Sequence, residues 1–334
     1  MSDTSTLISL YGTPMNPGQV IEHLKNFPEA LGLYYKMPET HRQDFLDFCS
    51  GKTGLYLCYD VFFQKIFNPY IHRERVEHLL GALLMQEVHI LDILSREGLR
   101  MSDSASLVIM DLVVRLQDGT IINLEMQRTG YDFPQKRVDC YNSDIIMRDY
   151  SRLKEKHGKQ FSYHMLNPVT TIILMEHSSS RFKQFPDTYI HHGHLRFDSG
   201  LELDNLSHPI YVSLDIFHQV MQNKPVNTPL EAWLTALTTR SPARIDELIR
   251  KFPVFSDIYR EVFEFRTTPE ELITMYSAAL AETDRSTERV MISDMQKALA
   301  DSKKELADKD RALADSRNEI ASLKEQIRQL QEKL

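Results

Sequence analysis

The chain has 334 residues, 42% hydrophobic and 26% charged, with a formal net charge of -8. That balance belongs to a globular protein with room for one large or two modest cores, and the acidic excess argues against coating nucleic acid through bulk charge while leaving room for a local basic groove. With no uncharged apolar run of about 18 residues and no basic start leading into an apolar stretch, neither a membrane span nor a signal peptide is expected, and the expected location is cytoplasmic.

Cys49, Cys58 and Cys140 share no metal-ligand spacing and read as reduced thiols. Residues 1–56 carry weak signals, with Pro14, Pro17, Pro28 and Pro38 interrupting short amphipathic stretches, and read as a partly helical lead-in. From Asp60 the pattern firms. "DVFFQKIFNP" is followed by "RERVEHLLGALLMQEV", where Val76, Leu79, Leu80, Leu83 and Leu84 recur at helical spacing.

A β-rich block follows. "SLVIMDLVVRL" and "TIINLEMQ" are β-branched runs joined by Gln117-Asp118-Gly119, a hairpin signal. "VDCYNSDIIMRDYSRLKEKH" returns to helical spacing. "PVTTIILME" and "HPIYVSLDIF" read as strands buried on both faces, with "HLRFD" as a shorter strand. Helices and strands alternate, so a mixed sheet covered by helices is expected. After Pro229 only helices are expected, in "LEAWLTALTT", "ARIDELIRKF", "DIYREVFEF" and "PEELITMYSAAL". In the tail Leu299, Leu306, Leu313, Ile320, Ile327 and Leu334 recur every seventh residue. The companion positions hold Met295, Ser302, Lys309, Ser316, Leu323 and Leu330, a coiled-coil seam with a polar middle that predicts homo-oligomers.

Two acids stand out in the hairpin. Alternation along the second strand puts Ile121, Asn123, Glu125 and Gln127 on one face and Ile122, Leu124 and Met126 on the other. A two-residue loop at Asp118-Gly119 would pair Asp111 with Met126. A three-residue loop, Gln117 to Gly119 with a left-handed glycine, would set Asp111 across from Glu125, and Gly119 as last loop residue suits that register. The two carboxylates then repel unless a cation bridges them, and hard divalent ions take such oxygens. The hairpin thus reads as half a magnesium site, with the Met126 carbonyl as a further ligand; the competing reading is a solvated acidic strand face.

These residues resemble the PD-(D/E)XK nuclease family transposases, or recombination-promoting nucleases, of the restriction-endonuclease-like superfamily. The resemblance rests on "FFQKIF" at 62, "MDLVVRLQDGTIINLEMQ" at 110, the arginine and tyrosine of "KRVDCYNS", and "YVSLDIF" followed by "EAWLTAL". It covers roughly residues 57 to 290. It implies an α/β, restriction-endonuclease-like core, with a mixed central sheet flanked by helices, over 57–225. A helical region at 226–283 and a coiled-coil tail at 284–334 would follow. It also implies that Asp111 and Glu125 bind magnesium, with manganese as a substitute. Gln127 stands where many superfamily members place lysine, so it can hydrogen-bond but brings no charge. Glu77 is a candidate third acid, set against an exposed helical glutamate, and Lys65 matches a family lysine, set against a lysine lying along an aromatic patch.

Arg137, Tyr141, Arg148 and Arg152 recur at helical intervals and, with Arg128 and Lys136, offer phosphate contacts beside the acids; Asp144 and Asp149 dilute that charge. His191, His192 and His194 lack a second ligand cluster and read as a loop or strand edge. No Gly-rich phosphate loop, GxSxG elbow or CxxC pair occurs. The function expected is a magnesium-dependent DNA endonuclease associated with transposition or recombination. The rival is a catalytically weak nuclease-fold interaction protein that oligomerises through its tail.

Overall fold

A computed structural model describes residues 14–97, 110–128 and 135–331. Asn16 opens α1 (Pro17–Leu24) with a capping box: its side chain accepts from Gln19 N–H, while the Gln19 side chain accepts from the Asn16 N–H. Pro28 similarly starts α2 (Pro28–Lys36), and α3 (Glu39–Cys49) follows Pro38. Pro17, Pro28 and Pro38, three of the prolines that break the sequence pattern, therefore stand at helix starts. Val20, Leu24, Phe45 and Phe48 have no exposed surface. Phe45 meets Tyr276 edge-on at 6.3 Å and Phe48 stacks on Phe263 at 6.5 Å, so this segment packs into the same core as the late helices.

Next come α4 (Asp60–Ile66) and α5 (Arg73–Leu84). The second ends at Leu84, the last of its periodic positions, where Met85 takes a left-handed conformation with φ 53° and turns the chain into β1 (Ile90–Ile93). The hairpin strands are β2 (Leu112–Leu116) and β3 (Ile121–Gln127), every residue of both buried. Residues 106–109 of the expected first strand lie outside the described residues. A long helix, α6 (Gln135–His157), crosses over to β4 (Val169–Met175), and β5 (Ile190–His192) and β6 (Ser207–Ser213) complete the sheet.

The six strands lie in the order β1-β2-β3-β4-β6-β5. The pairs β3–β4 and β4–β6 are parallel; β1–β2, β2–β3 and β5–β6 are antiparallel. This is the mixed sheet expected, with two corrections. "HLRFD" is no strand; the edge strand lies just before it, placing His191 and His192 at the sheet edge and His194 in the following loop. "HPIYVSLDIF" divides, its second half forming α7 (Leu214–Val220).

Four helices follow: α8 (Pro229–Thr238), α9 (Pro242–Lys251), α10 (Val254–Glu264) and α11 (Pro269–Gln331). The chain divides into two compact units at residues 283/284. In the first unit one sheet face, carrying Ile122, Leu124, Ile172 and Val212, joins the main core with Trp233, Phe255 and Tyr259. The other face, carrying Val113, Ile121, Val169 and Ile173, packs against Val138, Tyr141 and Ile145 of α6. In the second unit Met295, Leu299, Leu306, Leu313 and Ile320 are exposed, while the side chains of Leu323, Ile327, Leu330 and Leu334 lie outside the described residues. No described helix is long and apolar enough to cross a membrane.

Candidate active site

The hairpin loop decides where the acids meet. Gly119 has φ 95°, and its N–H donates to the Leu116 carbonyl at 3.0 Å, closing the three-residue loop Gln117 to Gly119. A Cβ on this residue would collide with the Asn167 side-chain amide, so glycine is required by both φ and space. From this turn the ladder runs Arg115 opposite Ile121, Val113 opposite Asn123, and Leu112 opposite Leu124. One step further, Asp111 faces Glu125. The Asp111 N–H donates to Glu125 Oε1 at 3.3 Å, and the Met126 N–H donates to Asp111 Oδ2 at 2.8 Å.

Glu125 is 3% exposed. Burial, and then the neighbouring Asp111 charge, push its carboxyl well above the usual carboxylate range; the Arg137 guanidinium, the Asp111 N–H and the polar side chain of Asn123 oppose this. Tyr141 is raised to about 12, first by burial and then by the negative charge of Glu125, with Arg137 pulling the other way. Arg137 Nε donates to the Tyr141 hydroxyl at 2.6 Å, so the first turns of α6 bring a cation and a phenol to the acids. Gln127, 9% exposed, shares the strand face of Glu125.

The polar lining extends under α6. Asn123 has no exposed surface, and neither of its amide atoms makes a hydrogen bond of good geometry, yet its dipole is close enough to favour the Glu125 carboxylate. Thr171 donates to Asn142, which donates to Ser207 at 2.5 Å. Arg96 Nε donates to the Met110 carbonyl at 2.8 Å and its Nη1 reaches Gln64 of α4 at 3.5 Å, fixing the entry to Asp111. None of Asn123, Asn142 and Arg96 is named as a site residue from the sequence. Only Asn123 carried a signal there, since it sits two residues before Glu125 on one face.

Several candidates are placed elsewhere. Glu77 accepts from the Ile90 N–H at 2.7 Å; Ile90 pairs with Leu116, five strand positions from Asp111, about 16 Å away. It anchors the edge strand and does not complete an acidic triad. Lys65 lies over the Phe265 ring at 4.6 Å, the aromatic-patch position. Arg128 pairs with Glu176 at 2.7 Å and covers Tyr59 at 3.8 Å, on the far face of the sheet from Gln127. Arg148 is tethered to the Ser95 carbonyl at 2.8 Å and Asp144 at 2.9 Å. Lys136 is exposed in the first turn of α6. Of the residues expected to meet phosphate, the structure brings Arg137 and Tyr141 beside the acids.

The donor chemistry suits a hard divalent cation. Two carboxylates face each other across the strands, one of them raised by burial and by the other's charge, and a bridging cation would relieve that strain. Among the described residues no cluster of three His, Cys, Asp or Glu side chains forms, so further ligands would be carbonyls, water or substrate oxygens, as magnesium accepts.

A family model described as PD-(D/E)XK nuclease family transposase matches residues 57–307. No curated protein and no solved structure matches the chain.

Proposed function

Because the chain belongs to the PD-(D/E)XK nuclease family transposases, we propose that it is a metal-dependent DNA endonuclease acting in transposition or recombination. The observation that carries this reading is the facing of Asp111 and Glu125 at the end of the hairpin, bound to each other's strands through main-chain N–H groups. Asp111 and Glu125 would hold magnesium or manganese. The chemistry such an ion supplies is polarisation of the scissile phosphate and a lowered pKa of bound water. Gln127 orients the water or a phosphate oxygen by hydrogen bonding, and Arg137 offsets phosphate charge beside it. With no charge at Gln127, modest turnover is expected.

Nicking of supercoiled plasmid with magnesium or manganese tests the reading. The wild type should nick and lose activity in EDTA, and Asp111→Ala and Glu125→Ala should each fall about a hundredfold or more. Equal nicking by all three proteins would identify a contaminant and leave the interaction-module reading in its place.

Cleaving both strands of a duplex calls for two sites, and the exposed apolar seam of the tail supports pairing of copies. Removing residues 290–334 is expected to reduce the solution mass, measured by light scattering, to that of one chain. An unchanged oligomer would transfer association to another surface.

A further inference from the structure

Beyond the acids, the C-terminal end of α6 carries a second concentration of chemistry. Between residues 151 and 165 the chain places Arg152, Lys154, Lys156 and Lys159 against a single acid, Glu155, in a protein whose net charge is -8. Arg152 is occupied by Asp149 at 2.8 Å, whereas Lys154, Lys156 and Lys159 are exposed. Beside Lys154 three rings gather. Tyr150 and Tyr163 stack at 6.2 Å with 16° between planes, Phe161 sets its edge to both at 5.2 and 5.5 Å, and Lys154 lies 5.2 Å from the Phe161 centroid. Tyr163 is 74% exposed. A ring held in place by two aromatic neighbours yet open to solvent has paid its ordering cost before any ligand arrives.

We propose that Tyr150, Phe161 and Tyr163, with Lys154 against the Phe161 ring and exposed Lys159 two residues before it in the chain, form a stacking platform for unpaired bases of single-stranded DNA. Bases stack on exposed aromatic faces without regard to sequence, and the lysines meet the accompanying phosphates. The platform's helix residue, Tyr150, lies about 14 Å along α6 from Tyr141 and about half a turn round it, so a strand held there passes on round the helix towards the acids. This inference deepens the nuclease reading by adding a strand-holding surface, and it rests on that reading for the choice of DNA.

The test is binding of a fluorescein-labelled, ~20-nucleotide oligothymidylate to the full-length protein, by fluorescence anisotropy in EDTA so that cleavage plays no part. Tyr163→Ala should raise Kd roughly 5- to 100-fold, while Tyr163→Trp should bind at least as tightly as wild type. Neutralising Lys154→Gln and Lys159→Gln together should reduce the slope of log Kd against log salt by about 1.4. Unchanged binding by Tyr163→Ala, or equal weakening by Tyr163→Trp, would overturn the platform. Because the readout is metal-free, absence of plasmid nicking leaves this result standing on its own.

Discussion

Glu125→Gln is expected to stabilise the metal-free protein at neutral pH by about 1–2 kcal/mol while lowering plasmid nicking about a thousandfold, which corresponds to ~4 kcal/mol of transition-state stabilisation. Both effects come from one feature. Glu125 is buried opposite Asp111, and the folded state raises its carboxyl well above the usual range, first through burial and then through the Asp111 charge. A folded-state pKa above the unfolded one means the native protein holds its proton more tightly. Stability is therefore fully present below the unfolded carboxylate pKa and is lost as pH rises towards the raised folded value. Glutamine mimics the protonated form at all pH values and removes that loss. Thermal melts of wild type and Glu125→Gln in EDTA should converge at acid pH and separate as pH rises, with the variant higher. Adding magnesium should stabilise the wild type and leave the variant nearly unmoved. A variant that melts lower than wild type at neutral pH would remove the strained-pair account. Asp111→Asn combined with Glu125→Gln should nick no less than either single variant, because groups that act as a unit are not additive.

The hairpin was legible because turn chemistry and strand period are local. A glycine closing a three-residue loop fixes the register, and the register alone brings Asp111 to Glu125. The same period-2 rule that groups Gln127 with Glu125 sends Arg128 to the other face, where it finds Glu176 and Tyr59, so its exclusion was also readable. What local pattern cannot supply is where whole elements land. Glu77 sits on a correctly expected helix, but that helix packs at the hairpin-loop end of the sheet, and only the β1–β2 pairing reveals it. Strand β1 was hidden because "MQEVHI" continues the apolar spacing of the preceding helix until a left-handed Met85 ends it. The lead-in read as weak because its helices are short and gain their stability from rings supplied by α10 and α11, remote in sequence. The aromatic trio was invisible for a related reason: Tyr150 lies on the helix and Phe161 and Tyr163 in the loop after it.

Asp149 is the sharpest case of a residue whose charge was readable and whose role was not, and it carries the second large expectation. In sequence it dilutes a basic helix. In the fold it is 2% exposed and accepts from Arg115 of β2 at 3.1 Å, from Arg152 at 2.8 Å and from the Asn167 side chain at 2.9 Å. One carboxylate thus ties α6 to the hairpin and to the start of β4, and Asn167 in turn packs against the Gly119 loop. Burial would raise its pKa, but hydrogen bonds from Arg152 and Asn167 and the charge of Arg115 outweigh this and lower it. A depressed folded pKa means the stabilisation is present above the unfolded carboxylate value and is lost as pH falls through the folded one. Asp149→Ala leaves Arg115, 8% exposed, as a buried charge without that partner, and is expected to cost about 3–5 kcal/mol in urea unfolding at neutral pH. Arg115→Met with Asp149→Leu, which removes both charges, should cost much less than Asp149→Ala alone. A loss within about 0.5 kcal/mol for the single variant would place Asp149 among ordinary surface positions. The expected loss has a functional consequence. The clamp holds the helix that carries Arg137 and Tyr141 against the hairpin that ends in Asp111 and Glu125, so nicking should fail at a lower temperature in Asp149→Ala even though no reacting group has been altered.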